Sequence, residues 1–206
     1  MKRRDAIAGY EHGPDASLRA TADALARLAT ARAVILVEGI SDQIAVEALA
    51  ELQGRDLLAE GVVVLPIGGA YALGNLLPGL LDQKKLKIAG LCDAAEADHF
   101  GKILTRNVLG TLEAEGFFIC DRDLEDELIR KAGETRIRDV LEAEGDLRPF
   151  TTLARQAEWR DASFTDQFRR FLGAGARRKH RYASLLVKTI GPDDPPEPLL
   201  GVLDRV

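Results

Sequence analysis

The chain has 206 residues, of which 46% are apolar and 30% charged, enough to bury one sizeable core and too mixed for a disordered or fibrous protein. Its 33 acidic residues outnumber 28 basic ones, a formal charge of −5, so the surface as a whole is not a nucleic-acid footprint and charge has to be read locally. Aromatic residues make up 5%, too few for base-stacking platforms to be the main means of binding.

No apolar run approaches the roughly 20 residues of a membrane span, and the basic residues Lys2, Arg3 and Arg4 have no apolar stretch of leader type behind them. A cytoplasmic location without a membrane partner is expected. Cys92 and Cys120 each close an apolar run and each precede an Asp, which reads as buried strand residues in a reducing compartment and not as a disulfide framework.

Residues 15 to 32 are rich in Ala, Leu and Arg with apolar positions at helical spacing, so residues 1–32 read as an arm and one amphipathic helix. Four short, branched, apolar runs follow, at 33–37, 62–65, 88–92 and 117–120. None alternates and each is too short for a core helix, which suits strands buried on both faces. Helical stretches separate them, over 42–53, 70–83 and from Asp93 towards Leu104. Strands alternating with helices predict an α/β core with a mainly parallel sheet over 33–145. Beyond residue 121 the strand signals stop, and 124–131, 134–144, 164–172 and 182–189 read as helices, with Trp159 and Phe164 packing among them. Pro192, Pro195, Pro196 and Pro198 then end the last long helix and predict a stiff tail, so 146–206 form a helical C-terminal extension with a Pro-rich end.

The first strand runs into Glu38-Gly39-Ile40-Ser41-Asp42, which puts a carboxylate at the C-terminal edge of the sheet, where open α/β folds place their ligand sites. Ser41 is suited to cap the next helix with Asp42 in its first turn, so Asp42 is either a capping residue or a ligand. The third strand ends in the same way, at Asp93, followed by Glu96 and Asp98. On neighbouring strands, Glu38 and Asp93 would converge at the ~5 Å strand spacing. Like charges that close raise one another's pKa unless a cation sits between them, and hard oxygen ligands select Mg²⁺ or Mn²⁺. The fourth run leads into Asp121, Asp123, Glu125, Asp126 and Glu127, five acids in seven residues. Acids are common in a first helical turn, so most are expected to face water and one or two to point inward. Asp123-x-Glu125 has the character of a second metal position in a two-metal site.

These residues resemble a family pattern. Val37-Glu38-Gly39-Ile40-Ser41-Asp42, then Gly68-Gly69 after the second strand and a strand ending in Asp93, resemble the Toprim domain, and most closely that of the overcoming-lysogenization-defect (OLD) nucleases. The pair Glu38 and Asp42, the late Asp123-x-Glu125 before a helix, and Lys179 beyond the sheet match elements of that group. The family's Asp-x-Asp is here Asp93-x-Ala95, which leaves Glu96 or Asp98 to substitute. The chain holds no Gly-x-x-x-x-Gly-Lys-Ser/Thr phosphate loop, so a free-standing Toprim protein is expected. The resemblance implies a Rossmann-like fold and metal-dependent phosphodiester hydrolysis, on DNA before RNA. Glu38, Asp42, Asp93 and Lys179 would be catalytic, and Glu38, Asp42, Asp93, Asp123 and Glu125 would hold the metal. Whether Glu38 is a ligand or a general acid or base is left open, as are a separately encoded ATPase partner, a homo-oligomer, and a catalytically silent module that binds nucleic acid or the ATPase.

Other groups carry less. Arg177, Arg178, Lys179, His180 and Arg181 form the longest basic run, read either as a phosphate site or as a solvated stretch. Lys84, Lys85 and Lys87 suit a helix C-terminus. Gly68-Gly69 reads as a turn, and His12, His99 and His180 are too scattered for zinc. There is no Gly-x-Ser-x-Gly elbow.

Overall fold

The computed structural model describes residues 16–68, 74, 76, 78–80, 85–105 and 112–206. The expected 70–83 helix falls largely outside them, as do Gly69, Lys84 and His12. Along the chain run α1 (Ala16–Leu28), β1 (Ala33–Val37), α2 (Ile40–Leu52), β2 (Val62–Pro66), β3 (Lys87–Asp93), α3 (Ala97–Thr105) and β4 (Phe117–Cys120). A helical half follows: α4 (Leu124–Ala143), α5 (Leu147–Ala154), α6 (Phe164–Gly173), α7 (Ala176–Ile190) and α8 (Glu197–Asp204). None of the described helices is long and apolar enough to cross a membrane.

The four strands pair in parallel in the order β2-β1-β3-β4, which is the expected α/β class, a parallel sheet flanked by helices. The branched runs are strands because each residue finds an apolar layer whichever way it points. Ile35, Val37, Val64 and Leu91 face a core shared with α2, α4 and the C-terminal helices. Val34, Leu36, Leu65 and Cys92 face a second one built with Ala24 and Leu28 of α1 and Phe100 of α3. That is the double burial expected of a parallel sheet. β4 departs from it. It lies at an edge, and Ile119 is 36% exposed. Cys92 and Cys120 are buried and unpaired, on opposite faces of the sheet. Close approach of β3 and β4 needs Gly90, where a Cβ would stand 2.6 Å from the Phe117 ring and 3.2 Å from the Leu36 carbonyl.

The helical half is tied to the first core by aromatic rings. Phe150, Phe164, Phe168, Phe171 and Tyr182 contact one another at centroid distances of 5.5–6.4 Å, in edge and offset arrangements that aromatic quadrupoles favour. Trp159 is half-buried under Arg170, whose guanidinium lies 5.9 Å from the ring centroid. The separate helices expected over 124–131 and 134–144 appear as one element broken at Gly133, with φ 76° and ψ 155°.

Two helices were not expected. α5 is short, and its buried anchor is Phe150. α8 corrects the expected stiff tail: Pro196 stands at its N-cap and Pro198 in its first turn, followed by buried Leu199, Val202 and Leu203. Proline is tolerated there because a first-turn N–H has no helical partner to lose. α8 packs under β3 and β4, Arg55 Nη1 donates to the Leu203 carbonyl at 2.7 Å, and Gly201 leaves room for the Phe118 ring. If the tail is core, Leu203→Ala should cost about 2–5 kcal/mol in a urea titration, whereas a loose tail would give a change near zero.

Candidate functional site

The parallel register decides where the acids meet. Leu36 of β1 lies beside Gly90 of β3, so the next residues bring Glu38 and Asp93 together at the strand ends, and the Asp93 N–H donates to Glu38 Oε1 at 3.2 Å. The Glu38 carbonyl in turn accepts from Gly68 N–H at 2.9 Å. Gly68 bends the chain there with φ +73°, while the second glycine of the expected turn lies outside the described residues.

α2 begins two residues earlier than expected, at Ile40. Its N-cap is Gly39, not Ser41, and Asp42 in the third position reaches back so that Oδ2 accepts from Gly39 N–H at 2.9 Å. Asp42 therefore caps the helix, as its first-turn position allows. The same carboxyl lies within the fields of Lys179, Asp123 and Glu125, so it stands between the strand-end pair and the helical half.

Electrostatics single out three groups. Burial, then repulsion from Asp93, Glu96 and Asp42, pushes Glu38 up to about 8. Asp93 is pushed up to about 6 by burial, then by Asp123, Asp42 and Glu96. Burial raises Asp42 to about 6 as well, against the Gly39 N–H and Lys179. Perturbation of this kind clusters at functional sites. The donor chemistry suits a hard cation, which would reverse the repulsion. As the side chains stand, no group of three or more Asp, Glu, His or Cys among the described residues is close enough to hold a metal ion. Of the two acids after Asp93, Glu96 is the one whose charge weighs on Glu38 and Asp93, while Asp98 is exposed.

The acids at the start of α4 behave differently. Only Asp121 points fully outward, with its side chain 77% exposed; those of Asp123, Glu125, Asp126 and Glu127 are 23%, 13%, 12% and 15% exposed. More of them are turned in than the one or two expected, because arginines receive them. Asp123 caps α4, with Oδ1 accepting from Asp126 N–H at 2.8 Å, and is gripped through both oxygens by Arg169. Burial would raise Asp123, but Arg169, the Asp126 N–H and Lys179 hold it below the usual carboxylate range. Asp126 pairs with Arg130 at 3.2 Å, and Glu127 with the same arginine at 2.7 Å.

Lys179 reaches this region from the first turn of α7, with Nζ 3.4 Å from Glu125 Oε2. It shares a small depression with Ser41, Asp42 and Glu125, floored by Leu124, Leu128, Leu172 and Leu186. The rest of the basic run is divided. Arg178 donates to the Phe171 carbonyl at 2.8 Å and stacks 3.9 Å over its ring. Arg181 is held by Glu144 and Asp146, and burial followed by the Lys179 charge lowers His180. Arg169 was missed by sequence reasoning. Its only signal is its place between the buried rings Phe168 and Phe171, which fixes its backbone without revealing which acid it meets.

Residues 30–95 match the family model described as overcoming lysogenization defect protein-like, TOPRIM domain. The fold is similar to the C-terminal region of the Xanthomonas campestris pv. campestris OLD protein, at 23% identity over 87% of this chain and 94% of that one, with a TM-score of 0.68. It is also similar to the C-terminal region of the Burkholderia pseudomallei OLD protein, at 20% identity, 85% and 96% coverage and a TM-score of 0.64. No curated protein matches the chain.

The raised Glu38 makes a prediction for stability. With an unfolded value near 4.5 and a folded value of about 8, the folded chain holds a proton that the unfolded chain releases between those pH values. Stability of the metal-free protein must therefore fall as pH rises through that window. Glu38→Gln should flatten the fall and raise the melting temperature at pH 8 in EDTA by about 2–4 °C for each kcal/mol relieved. Equal pH dependence of the two chains would contradict the burial of a protonated Glu38.

Proposed function

Taking the chain to carry an OLD-like Toprim domain, we propose that it is a divalent-metal-dependent nuclease acting on DNA. The observation that carries this reading is the meeting of Glu38 and Asp93 at the C-terminal edge of the two central strands, where burial and the surrounding acids raise both, Glu38 through Asp93 and Glu96 and Asp93 through Asp123, Asp42 and Glu96. Glu38, Asp42 and Asp93 would hold Mg²⁺ or Mn²⁺, with Glu96 the acid nearest to supplying what Ala95 lacks. Such a metal polarises a phosphate and brings the pKa of a bound water towards ~7. A carboxyl near 8 is also suited to proton transfer near neutral pH, so Glu38 can serve as the general acid or base of the same step. Lys179, whose side chain is 44% exposed, would turn from Glu125 to a substrate phosphate. The net charge of −5 opposes approach to a polyanion. Bound metal offsets part of it, and a separate ATPase chain or a second copy would offset more.

A silent module that binds nucleic acid or an ATPase partner is the second reading, favoured by Ala95 in place of an Asp and by the net charge of −5. Supercoiled plasmid separates the two. Nicking or linearisation is expected with Mg²⁺ or Mn²⁺ and not with EDTA, falling by about 10²–10⁴-fold in Glu38→Ala and Asp93→Asn. No cleavage with either metal, from a folded wild-type chain, would leave the binding module.

Lys179→Ala should reduce cleavage while changing unfolding free energy by less than about 1 kcal/mol, since the lysine side chain is 44% exposed and Arg169 stays beside Glu125 when it is removed. Cleavage equal to the wild type would remove Lys179 from the site.

A further inference from the structure

We propose that Arg169 is a resident cation in the place that a second divalent metal would take, so that the chain binds one metal ion per site and not two. The inference rests on the reading that Glu38, Asp42 and Asp93 hold the first ion. Asp123 and Glu125 have the residue types and spacing for a second, and the structure shows what occupies them instead.

Both carboxylate oxygens of Asp123 are engaged. Oδ1 accepts from the Asp126 backbone N–H at 2.8 Å and from Arg169 Nη1 at 2.7 Å, and Oδ2 is held by Arg169 Nη2. The guanidinium fork matches the two carboxylate oxygens, the geometry in which Arg binds most strongly and specifically. From the same position, Arg169 Nη1 lies 3.8 Å from Glu125 Oε1 and 3.9 Å from Asp126 Oδ1. One positive charge therefore faces three acids at once, where a metal would otherwise sit between them.

The cation is built in. Arg169 is 18% exposed at its side chain. It projects from α6 between Phe168 and Phe171, which are 0% and 2% exposed and locked in the aromatic cluster, so the backbone that carries it cannot swing away without opening the core. On Glu125 the second oxygen, Oε2, is buried without a hydrogen bond and has Lys179 at 3.4 Å. A divalent ion at Asp123 and Glu125 would have to displace the guanidinium and place its own charge against it. Arg169 does not touch the reacting centre; it is a positioning residue that sets how many metals the acids accept.

The test counts Mn²⁺ bound to the full-length chain at saturation, by calorimetry and by the electron paramagnetic resonance signal of free Mn²⁺, with circular-dichroism melts as a folding control. One ion per chain is expected for the wild type, two for Arg169→Gln, and one again for Arg169→Gln combined with Asp123→Asn. Asp123→Asn alone should leave the wild-type count at one and change its affinity by less than tenfold, since Asp123 acts on Asp93 and Asp42 only through its field, a readout that stands even if Arg169→Gln does not fold. Two ions in the wild type, a folded Arg169→Gln chain that still binds one, or a tenfold or greater loss of Mn²⁺ affinity in Asp123→Asn would each overturn the proposal and leave the first metal site standing. No Mn²⁺ bound by the wild type would overturn the first site and this inference with it.

Discussion

Two carboxyl groups on neighbouring strands, Glu38 and Asp93, are the constraint around which the rest of the molecule is arranged. Their closeness is a matter of register. β1 and β3 are the central strands of a parallel sheet, buried on both faces, and a one-residue slip in either would send an entire apolar set towards the wrong layer. The hydrophobic effect thus fixes the distance between two acids that electrostatics alone would separate. The cost appears as the protonation of Glu38 near neutral pH. It is a local cost that many kcal/mol of apolar burial along the strands sustain, and a cation can recover it.

The acidic rim is divided by what reaches it. At the strand ends, the charges that weigh most on Glu38 are acidic: Asp93, Glu96 and Asp42. At the start of α4, the acids are met by Arg122, Arg130, Arg169 and Lys179. The same residue types therefore have opposite electrostatic states only a strand away from one another. A carboxylate already forked by an arginine has its charge neutralised and both oxygens engaged, whereas a pair that meets mainly other acids among the described residues is where an added cation gains most. The helical half thus does more than cover the sheet, since α6 and α7 deliver the cations that neutralise the acids of α4 and, on the proposed reading, leave those of the strand ends for a metal.

Much of this was legible in the residues. Branched runs of four or five residues, three of them leading into Glu38, Asp93 and Asp121, pointed to both the parallel sheet and the edge where acids gather, because strand burial and strand ends are local properties. What escaped depended on contacts distant in the chain. Nothing near Arg169 says that it meets Asp123, 46 positions away. Arg178 and Arg181 look like a phosphate-binding run until Phe171 and Asp146 are seen to hold them. α8 was hidden for another reason: its prolines read as a stop, although in a first turn they start a helix, and Leu199, Val202 and Leu203 behind them carried the apolar face that needed burying.

Arg169 and Lys179 both face Glu125, yet they differ in what they are free to do. Arg169 makes a two-pronged contact from a side chain that is 18% exposed, between rings that fix its helix. Lys179 makes one contact at 3.4 Å from a side chain that is 44% exposed, on a flexible stem whose ammonium loses little by exchanging a carboxylate for a phosphate in water. Guanidinium permanence and ammonium mobility therefore assign them to different tasks. Arg169 holds the acids of α4 in one arrangement whether or not a ligand is present. On the proposed reading Lys179 is the cation that exchanges Glu125 for a phosphate, and Glu125 then keeps the guanidinium, with Arg169 Nη1 at 3.8 Å, as its remaining neighbour of opposite charge.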